Sequence, residues 1–243
     1  MLDTVILLTG PVDETVLAAV LQRHNPALAI RSVKTLADLE ALDSDALARA
    51  RLVAFVTPVI VPARILDRLG HGGYNFHPGP PHYPGWVPSH LAVYERATQY
   101  GATAHRMTAQ VDAGPIVDVG LFEVPPGTSV LDLERMAFKA LARLFWQQAK
   151  PLATQAEPLT VLPVAWSGRK TTRRLYEAMC EIPADITKDD LDRRIAAFGG
   201  GHFGTFPTVT LHGHRFRLAG AEAEAGVDAP ALVPGEPRSL ASV

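Results

Sequence analysis

The segment Leu52–His77, LVAFVTPVIVPARILDRLGHGGYNFH, decides the fold class. An apolar run opens it, a helix-like stretch follows between Pro62 and Gly70, and a short strand-like run closes it. Two strands joined through a helix usually lie parallel in one sheet. The opening run is apolar without alternation, which is typical of a strand buried on both faces. The segment therefore predicts two parallel strands in a sheet that helices cover.

The regions on both sides of this segment repeat the alternation of strands and helices. Towards the amino terminus, strand-like runs at Thr4–Leu8 and Leu28–Val33 are each followed by a helical pattern. Towards the carboxyl terminus, a helix is predicted from Pro88 to a stop at Gly101, and a long amphipathic helix begins after Ser129. These elements predict the α/β class, with a doubly wound, mostly parallel sheet.

The composition changes after the long helix, which divides the chain into two predicted domains. Residues 1–155 form the larger one, and residues 156–243 form a small α+β domain with a hairpin-like stretch, TVTLHGHRFRL. The tail from Gly220 is rich in Ala, Glu, Gly and Pro, as loosely ordered segments often are. We therefore expect two folded units of unequal size and a loosely ordered tail.

Composition and charge exclude several classes of function. Hydrophobic residues make up 47% of the chain, and the formal net charge is −2, so the chain is not built to coat nucleic acid. Its single cysteine, Cys180, cannot form an internal disulfide. No run reaches the roughly 20 apolar residues that span a membrane, and the amino terminus lacks the basic region of a signal peptide. We expect a soluble, cytoplasmic protein without a membrane partner.

Polar side chains near the end of the second run provide candidate catalytic groups. Asn75 and His77 are two residues apart, so on a strand they point to the same face. Asp112 lies in a turn after the next long strand and is expected at the same rim of the sheet. An amide can stabilise an oxyanion, an imidazole can move protons near neutral pH, and a carboxylate can orient the imidazole. Such a set suits acyl transfer to an amine.

Two longer stretches, NFHPGPPHYPG and GATAHRMTAQVDAGPIV, resemble the signature of the folate-dependent formyltransferase family. The family pattern is Asn-x-His, a proline-containing loop that ends in Gly, then Thr-x-His and Asp-x-Gly. The matching positions are Asn75, His77, Gly85, Thr103, His105, Asp112 and Gly114. The resemblance implies a Rossmann-like formyltransferase fold, in which residues 1–155 form the catalytic domain and Asn75, His77 and Asp112 are catalytic.

The resemblance also implies which ligands the chain binds. The formyl donor would be 10-formyltetrahydrofolate, and no metal would take part. The residues implied to contact the donor are Thr57, Pro58, Val59, Ile60, Gln110 and Val111. The residues implied to bind the acceptor substrate are His82, Tyr83, Gly85 and Trp86. The acceptor would be a primary amine on a small molecule, with a nucleotide-linked amino sugar favoured.

Several alternatives stay open at the level of sequence. The serine loop usual in the family is replaced by Gly79-Pro80-Pro81-His82, which keeps a non-catalytic folate-binding relative among them. A methionyl-tRNA formyltransferase-like protein and a formyltetrahydrofolate hydrolase are two others, although the family's hydrolases are expected to carry an additional amino-terminal domain, and none fits before Leu2–Val5. Transfer RNA is therefore not excluded as a partner, and a homodimer is compatible with the sequence.

Histidines and basic residues outside the trio have competing interpretations. His105 is interpreted as an architectural residue beside the site rather than as a catalyst. The spacing of His77, His82 and His90 matches no metal-binding motif. The basic run Trp166–Arg174 could hold a phosphate-bearing acceptor, with the tryptophan stacked on a ring, or it could be a solvated face. The solvated face is favoured.

Overall fold

The structure, a computed structural model, describes residues 2–219 without the side chain of residue 202. The predicted loose tail from residue 220 lies outside the described residues. Within the described range, no helix is long and apolar enough to cross a membrane.

The main sheet of the described chain has six strands. They are β1 (Thr4–Leu8), β2 (Ala29–Val33), β3 (Ala50–Phe55), β4 (Gly73–His77), β5 (Gln99–Arg106) and β6 (Ile116–Glu123). Their order is β2-β1-β3-β4-β5-β6. The first four strands are parallel, whereas β5 is antiparallel to β4 and β6 is antiparallel to β5. The predicted α/β class with a mostly parallel sheet is therefore confirmed.

Helices cover both faces of this sheet, but not equally. The helices of the described chain are α1 (Pro11–His24), α2 (Leu36–Glu40), α3 (Ser44–Ala48), α4 (Ala63–Leu66), α5 (Pro88–Tyr94), α6 (Val130–Thr154), α7 (Arg173–Cys180) and α8 (Lys188–Phe198), and only some of them lie on the sheet. On one face, α1 and α6 share a core with β1, β3, β4 and β5. On the other, α2, α3 and α4 pack against β1, β2 and β3 only. The second face over β4 and β5 is left to loops.

The helix after Pro88 is shorter than the sequence predicts. It ends at Tyr94, and Gly101, which is predicted to stop it, lies inside β5. A Cβ atom on Gly101 would lie 2.2 Å from the carbonyl oxygen of Gly120 on the neighbouring strand. The glycine is therefore needed for the close approach of β5 and β6. In the sequence, such a glycine cannot be distinguished from one that ends a helix.

A small second sheet follows the helices of the carboxyl-terminal part. It contains β7 (Glu181–Ile182), β8 (Thr208–Leu211) and β9 (His214–Arg217), with β8 and β9 antiparallel as the hairpin pattern predicts. The turn residues His212 and Gly213 have φ values of 49° and 84°, as a tight hairpin turn requires.

The carboxyl-terminal helices contact the main part of the chain through an aromatic cluster. Tyr176 and Phe198, from α7 and α8, pack with Trp86 and Tyr94. The hydroxyl of Tyr94 also donates a hydrogen bond to Asp190 at 2.6 Å. The cluster draws on both sides of residue 155, and the division into two domains there stays a prediction.

Arg51 ties the end of the longest helix to the sheet. Its side chain on β3 is 0% exposed. The guanidinium donates hydrogen bonds of 2.9–3.2 Å to the carbonyl oxygens of His71, Pro151, Leu152 and Glu157. Two of these carbonyls belong to the last turn of α6, where a positive charge is favourable. The buried arginine therefore satisfies backbone groups that would otherwise lack partners.

Candidate active site

The candidate active site lies on the sheet face that the helices leave uncovered. Because side chains alternate along β4, Tyr74 and Phe76 pack in the core beside α6, whereas Asn75 and His77 point to the other face. Asn75 is paired with His105 across β5, and His77 with Thr103. Residues directly opposite in an antiparallel pair share a face, so four polar side chains meet there.

Asp112 reaches this face by a route that differs from the expected one. Because β5 is antiparallel to β4, its end at Arg106 lies beside Tyr74, away from the carboxyl end of β4. The loop between β5 and β6 starts there and folds back over the sheet, instead of rising from the rim that His77 occupies. The carboxylate of Asp112 nevertheless lies 3.4 Å from His77 Nδ1, beside the end of β4 where it is expected.

Glycine and a left-handed residue make this return possible. Arg106 and Pro115 close the loop through a 2.9 Å backbone hydrogen bond. A Cβ atom on Gly114 would lie 1.8 Å from the carbonyl oxygen of Arg106, so only glycine fits. Asp112 has a φ of 43°, in the left-handed region. The Asp-x-Gly motif is thus explained by backbone geometry as well as by the carboxylate.

The proline-rich loop after β4 covers the site from the end opposite to the start of the loop that carries Asp112. Thr103 Oγ1 donates a hydrogen bond of 2.8 Å to the carbonyl oxygen of Gly79, which anchors the loop. A Cβ atom on Gly79 would lie 2.6 Å from His77 Nε2. The glycine that replaces the family's serine therefore lets the loop pack directly on the imidazole of His77.

The carboxylate of Asp112 is the centre of the site. Its Oδ2 accepts the backbone N–H of Gly85 at 2.9 Å and lies 3.4 Å from His77 Nδ1. Its Oδ1 lies 3.3 Å from His105 Nε2 and 3.5 Å from Asn75 Nδ2. Both histidines and the carboxylate are no more than 5% exposed, whereas Asn75 is only half-buried. The predicted trio therefore converges, and it opens outwards at Asn75.

Both histidines have an oxygen acceptor on each ring nitrogen. His77 Nε2 is 3.0 Å from the carbonyl oxygen of Tyr83, and His105 Nδ1 is 3.0 Å from that of Arg106. Since a carbonyl oxygen only accepts, these nitrogens carry protons. The other nitrogen of each ring faces the carboxylate of Asp112. His105 Nε2 can also accept from Asn75 Nδ2 at 3.2 Å. His105 therefore contacts both Asp112 and Asn75 directly, and it lies within the cluster around Asp112 rather than beside it.

Burial and charge act in opposite directions on this cluster. Burial alone would raise the pKa of Asp112, but the neighbouring His77 and His105 and the N–H of Gly85 lower the pKa from 3.8 to about 2. Burial lowers the pKa of His77 below its usual 6.5, and this outweighs Asp112 and the Tyr83 carbonyl, which raise it. The lowered pKa of Asp112 means that its carboxylate is ionised. The lowered pKa of His77 means that its imidazole gains a second proton only at a lower pH than an exposed histidine does.

These directions predict that acid destabilises the fold in two stages. Unfolded His77 takes up a proton near pH 6.5 and folded His77 only below it, so its contribution to stability is complete above pH 6.5 and falls as the pH decreases. The contribution of Asp112 is complete above pH 3.8 and is lost towards about 2. Urea unfolding at pH 7 and pH 5 should show a smaller loss of stability in the His77→Gln variant than in wild type. Equal losses would contradict the assignment.

Trp166 belongs to the site, although the solvated-face interpretation of its segment does not foresee this. Its ring lies 5.8 Å from that of His77 and 5.1 Å from that of His105, nearly perpendicular to both. Its Nε1 donates a hydrogen bond of 2.8 Å to the carbonyl oxygen of Gly114. A large apolar tryptophan beside a run of basic residues is the signal in the sequence that could have indicated an inward-facing anchor.

The residues implied to bind the donor lie on the two loops beside the opening. Thr57, Pro58, Val59 and Ile60 follow β3, whose end pairs with β4 at Phe76. Gln110 and Val111 precede Asp112. Ile60 is 66% exposed and Val111 is 42% exposed. Both loops thus carry exposed apolar side chains, and their contact with a donor stays a prediction.

The residues implied to bind the acceptor contribute backbone more than side chains. Tyr83 presents its carbonyl to His77, but its ring is buried and its hydroxyl donates to Glu95 at 2.9 Å. Gly85 presents its N–H to Asp112. The ring of Trp86 packs 4.4 Å from that of Phe203, and His82 is exposed. Among these four, only backbone groups reach the centre.

Within the described chain, a groove lies away from this centre, and no metal-binding cluster coincides with it. A groove of about 530 Å³ lies between β6 and α6, and none of the predicted site residues lines it. Between residues 2 and 219, no group of three or more His, Cys, Asp or Glu side chains is arranged to hold a metal ion.

Comparison with known families identifies the larger part of the chain. The family model described as "Formyl transferase" matches residues 20–146, more than half of the sequence and the whole of the cluster around Asp112. The chain belongs to the formyl transferase family. The resemblance of its motifs to the folate-dependent formyltransferases is thereby confirmed.

Individual relatives of this formyl transferase family chain are distant. The methionyl-tRNA formyltransferase of Acidobacterium capsulatum is 28% identical over 187 residues, which cover 76% of this chain and 54% of that protein. The enzyme of Roseobacter denitrificans is 26% identical over 170 residues, 69% of this chain and 52% of that one. This family member therefore spans about half the length of these curated relatives.

Solved structures share the fold of this family member. A sugar N-formyltransferase from a Shewanella species superposes with a TM-score of 0.71 at 15% identity, covering 90% of this chain and 97% of that one. A 4-N formyltransferase from Francisella tularensis gives a TM-score of 0.65 at 17% identity, covering 90% and 97%. The shared fold thus extends beyond residues 20–146 into the part that contains the second sheet.

Proposed function

We propose that the chain transfers a formyl group from 10-formyltetrahydrofolate to a primary amine on a small, nucleotide-linked amino sugar. The observation that carries this proposal is the convergence of Asn75, His77 and Asp112 around one buried carboxylate that opens at Asn75. Family membership supports formyl transfer as the reaction class.

The opening of the site fits a donor with an apolar ring system. The half-buried Asn75 is the polar group of the trio that solvent and ligands can reach. Ile60, on the loop after β3, and Val111, on the loop before Asp112, both have exposed side chains, and a flat ring system would cover apolar surface that is costly to expose. When bound, 10-formyltetrahydrofolate would supply an activated formyl group on a nitrogen that can leave.

Each member of the trio has a distinct role in this proposal. The Nδ2 group of Asn75 donates a hydrogen bond to the formyl oxygen and stabilises the charge that develops there. His77, with an oxygen acceptor on each ring nitrogen, holds the proton that the attacking amine releases. The Asp112 carboxylate orients the ring and neutralises the imidazolium that forms. His105 holds the amide of Asn75 in place.

The acceptor is proposed from fold and charge together. Sugar N-formyltransferase structures share the fold over 90% of this chain, including its carboxyl-terminal part. The formal net charge of −2 does not favour a polyanionic acceptor. The relatives named as methionyl-tRNA formyltransferases favour transfer RNA as the second candidate. The two acceptors differ enough in size and charge that one assay separates them.

A donor and acceptor screen tests the proposal. Binding of 5-formyltetrahydrofolate, a stable donor analogue, is measured by calorimetry, and tetrahydrofolate release from 10-formyltetrahydrofolate is followed with nucleotide-linked amino sugars and with methionyl-tRNA. We expect donor binding, and release that depends on an amino sugar. Release with methionyl-tRNA alone would show that transfer RNA, and not an amino sugar, is the acceptor. Formate production without any amine would indicate a hydrolase. A folded protein that binds no folate would contradict the proposal.

A further inference from the structure

The segment that follows α6 joins the two loops of the site like a strap. We define this strap as residues 155–172. Its residue Leu162 donates a backbone hydrogen bond to Ile116, next to the loop that carries Asp112. Further along, Ser167 donates from its backbone N–H to the carbonyl of Pro81 at 3.0 Å. The strap therefore spans from the loop of Asp112 to the proline-rich loop.

The far end of the strap is fixed more firmly. Thr171 donates from its backbone N–H to the carbonyl of Pro84 at 2.9 Å, and its own carbonyl accepts from Trp86 at 2.9 Å. Arg169 forms an ion pair of 2.6 Å with Glu95. Hydrogen bonds on both sides of Trp166 thus determine where its indole lies.

Trp166 closes one side of the centre and leaves the other open. Most residues around it in the strap are exposed, but its indole is half-buried against the imidazoles of His77 and His105. These imidazoles are at most 5% exposed, while Asn75 on the open side is only half-buried. An apolar wall over a polar centre restricts the number of water molecules that can reach the reacting atoms.

We propose that Trp166 is a specificity-determining residue that keeps water from competing with the acceptor amine for the formyl group. This inference rests on the proposed formyl transfer. In transfer, the bond between the formyl carbon and the donor nitrogen breaks and a carbon–nitrogen bond to the acceptor forms. In hydrolysis, a carbon–oxygen bond to water forms instead, which gives formate and tetrahydrofolate. In both, one proton passes from the attacking group to the departing nitrogen, and nothing is oxidised or reduced.

The test measures formate from 10-formyltetrahydrofolate without an amine. We expect Trp166→Ala to release formate about tenfold faster than wild type or more, because the wall is removed while Asn75, His77 and Asp112 remain. The ratio of formate to formylated amine should rise with it, which a loss of stability alone would not produce. Trp146→Ala, on the exposed surface of α6, is the matched control and should behave as wild type. Formate release that is unchanged or lower in Trp166→Ala would overturn the proposal.

A donor-independent measurement separates this inference from the proposed function. Diethyl pyrocarbonate modifies accessible imidazoles, and mass spectrometry locates the modification. We expect His77 and His105 to react faster in Trp166→Ala, while the exposed His82 reacts equally in all variants. Faster modification without any consumption of donor would contradict the proposed function but support shielding of the imidazoles by Trp166. No change in modification would show that Trp166 does not shield them and would overturn the inference. If Trp166→Ala does not fold, Trp166→Leu, which also loses the ring contacts, must show the same two increases.

Discussion

The Asp112→Asn variant is expected to lose about 10²–10⁴-fold in kcat/KM for formyl transfer, the range over which positioned acid–base groups act. Asp112 faces His77, His105 and Asn75 at once, so its charge orients and balances the whole centre. Asparagine keeps the size of the side chain but removes the negative charge that favours a protonated His77. The loss should appear mainly in kcat. Tetrahydrofolate release is measured over a range of acceptor concentrations under saturating donor, which gives kcat and kcat/KM separately.

Asp118→Asn is a suitable control for this prediction. Asp118 on β6 accepts hydrogen bonds from Gln148 and from the N–H of Val119, and it contacts none of the trio. An asparagine there keeps an oxygen acceptor, so activity should stay within about twofold of wild type. If the Asp112→Asn variant, shown to be folded, retained the wild-type rate, then Asp112 would have no catalytic role and the assignment of the centre would be wrong.

Replacing Arg51 by methionine is expected to destabilise the fold by about 3–5 kcal/mol. The substitution leaves the carbonyl oxygens of His71, Pro151, Leu152 and Glu157 without their donor inside the protein. It also removes the positive charge from the end of α6. Thermal unfolding should show a Tm lower by about 10 °C. Arg51→Lys should also be destabilised, because an ammonium cannot match the planar guanidinium.

Arg49→Met provides the comparison for this prediction. Arg49 lies two residues before Arg51, its side chain is 62% exposed, and it pairs with Asp3 at 3.8 Å. Exposed ion pairs of this kind contribute about 0–1 kcal/mol, so the variant should melt close to wild type. A similar Tm for the Arg51 and Arg49 variants would show that the buried guanidinium does not anchor α6.

The class of fold was predictable because the parallel strands are buried on both faces. Runs such as Leu52–Val56 are apolar without alternation, which indicates burial on both faces, and the helices between the runs indicate that the strands are parallel. The antiparallel direction of β5 was not predictable from its apolar pattern, which is the same in either direction. Gly101 was assigned to a helix end because a glycine that permits close strand approach looks like a glycine that ends a helix.

The candidate site was predictable as far as it depends on motifs. Asn75, His77 and Asp112 follow from residue type and resemblance, and the structure brings them together. The contact of Trp166 with the imidazoles arises from tertiary packing of the strap, between residues more than 60 positions apart in sequence. The burial of Arg51 arises in the same way, from carbonyls of distant segments. Local patterns carry no information on such contacts.

The most direct measurement of the central claim follows the formyl group itself. The wild-type protein is incubated with 10-formyltetrahydrofolate labelled with ¹³C at the formyl carbon and with a nucleotide-linked amino sugar. Mass spectrometry then determines how the label is divided between formylated amine and formate. Formyl transfer at this site predicts that most of the label appears in the amine, and that Asp112→Asn slows its appearance there by about 10²–10⁴-fold. Label found only in formate, or left on the donor by a folded protein, would contradict it.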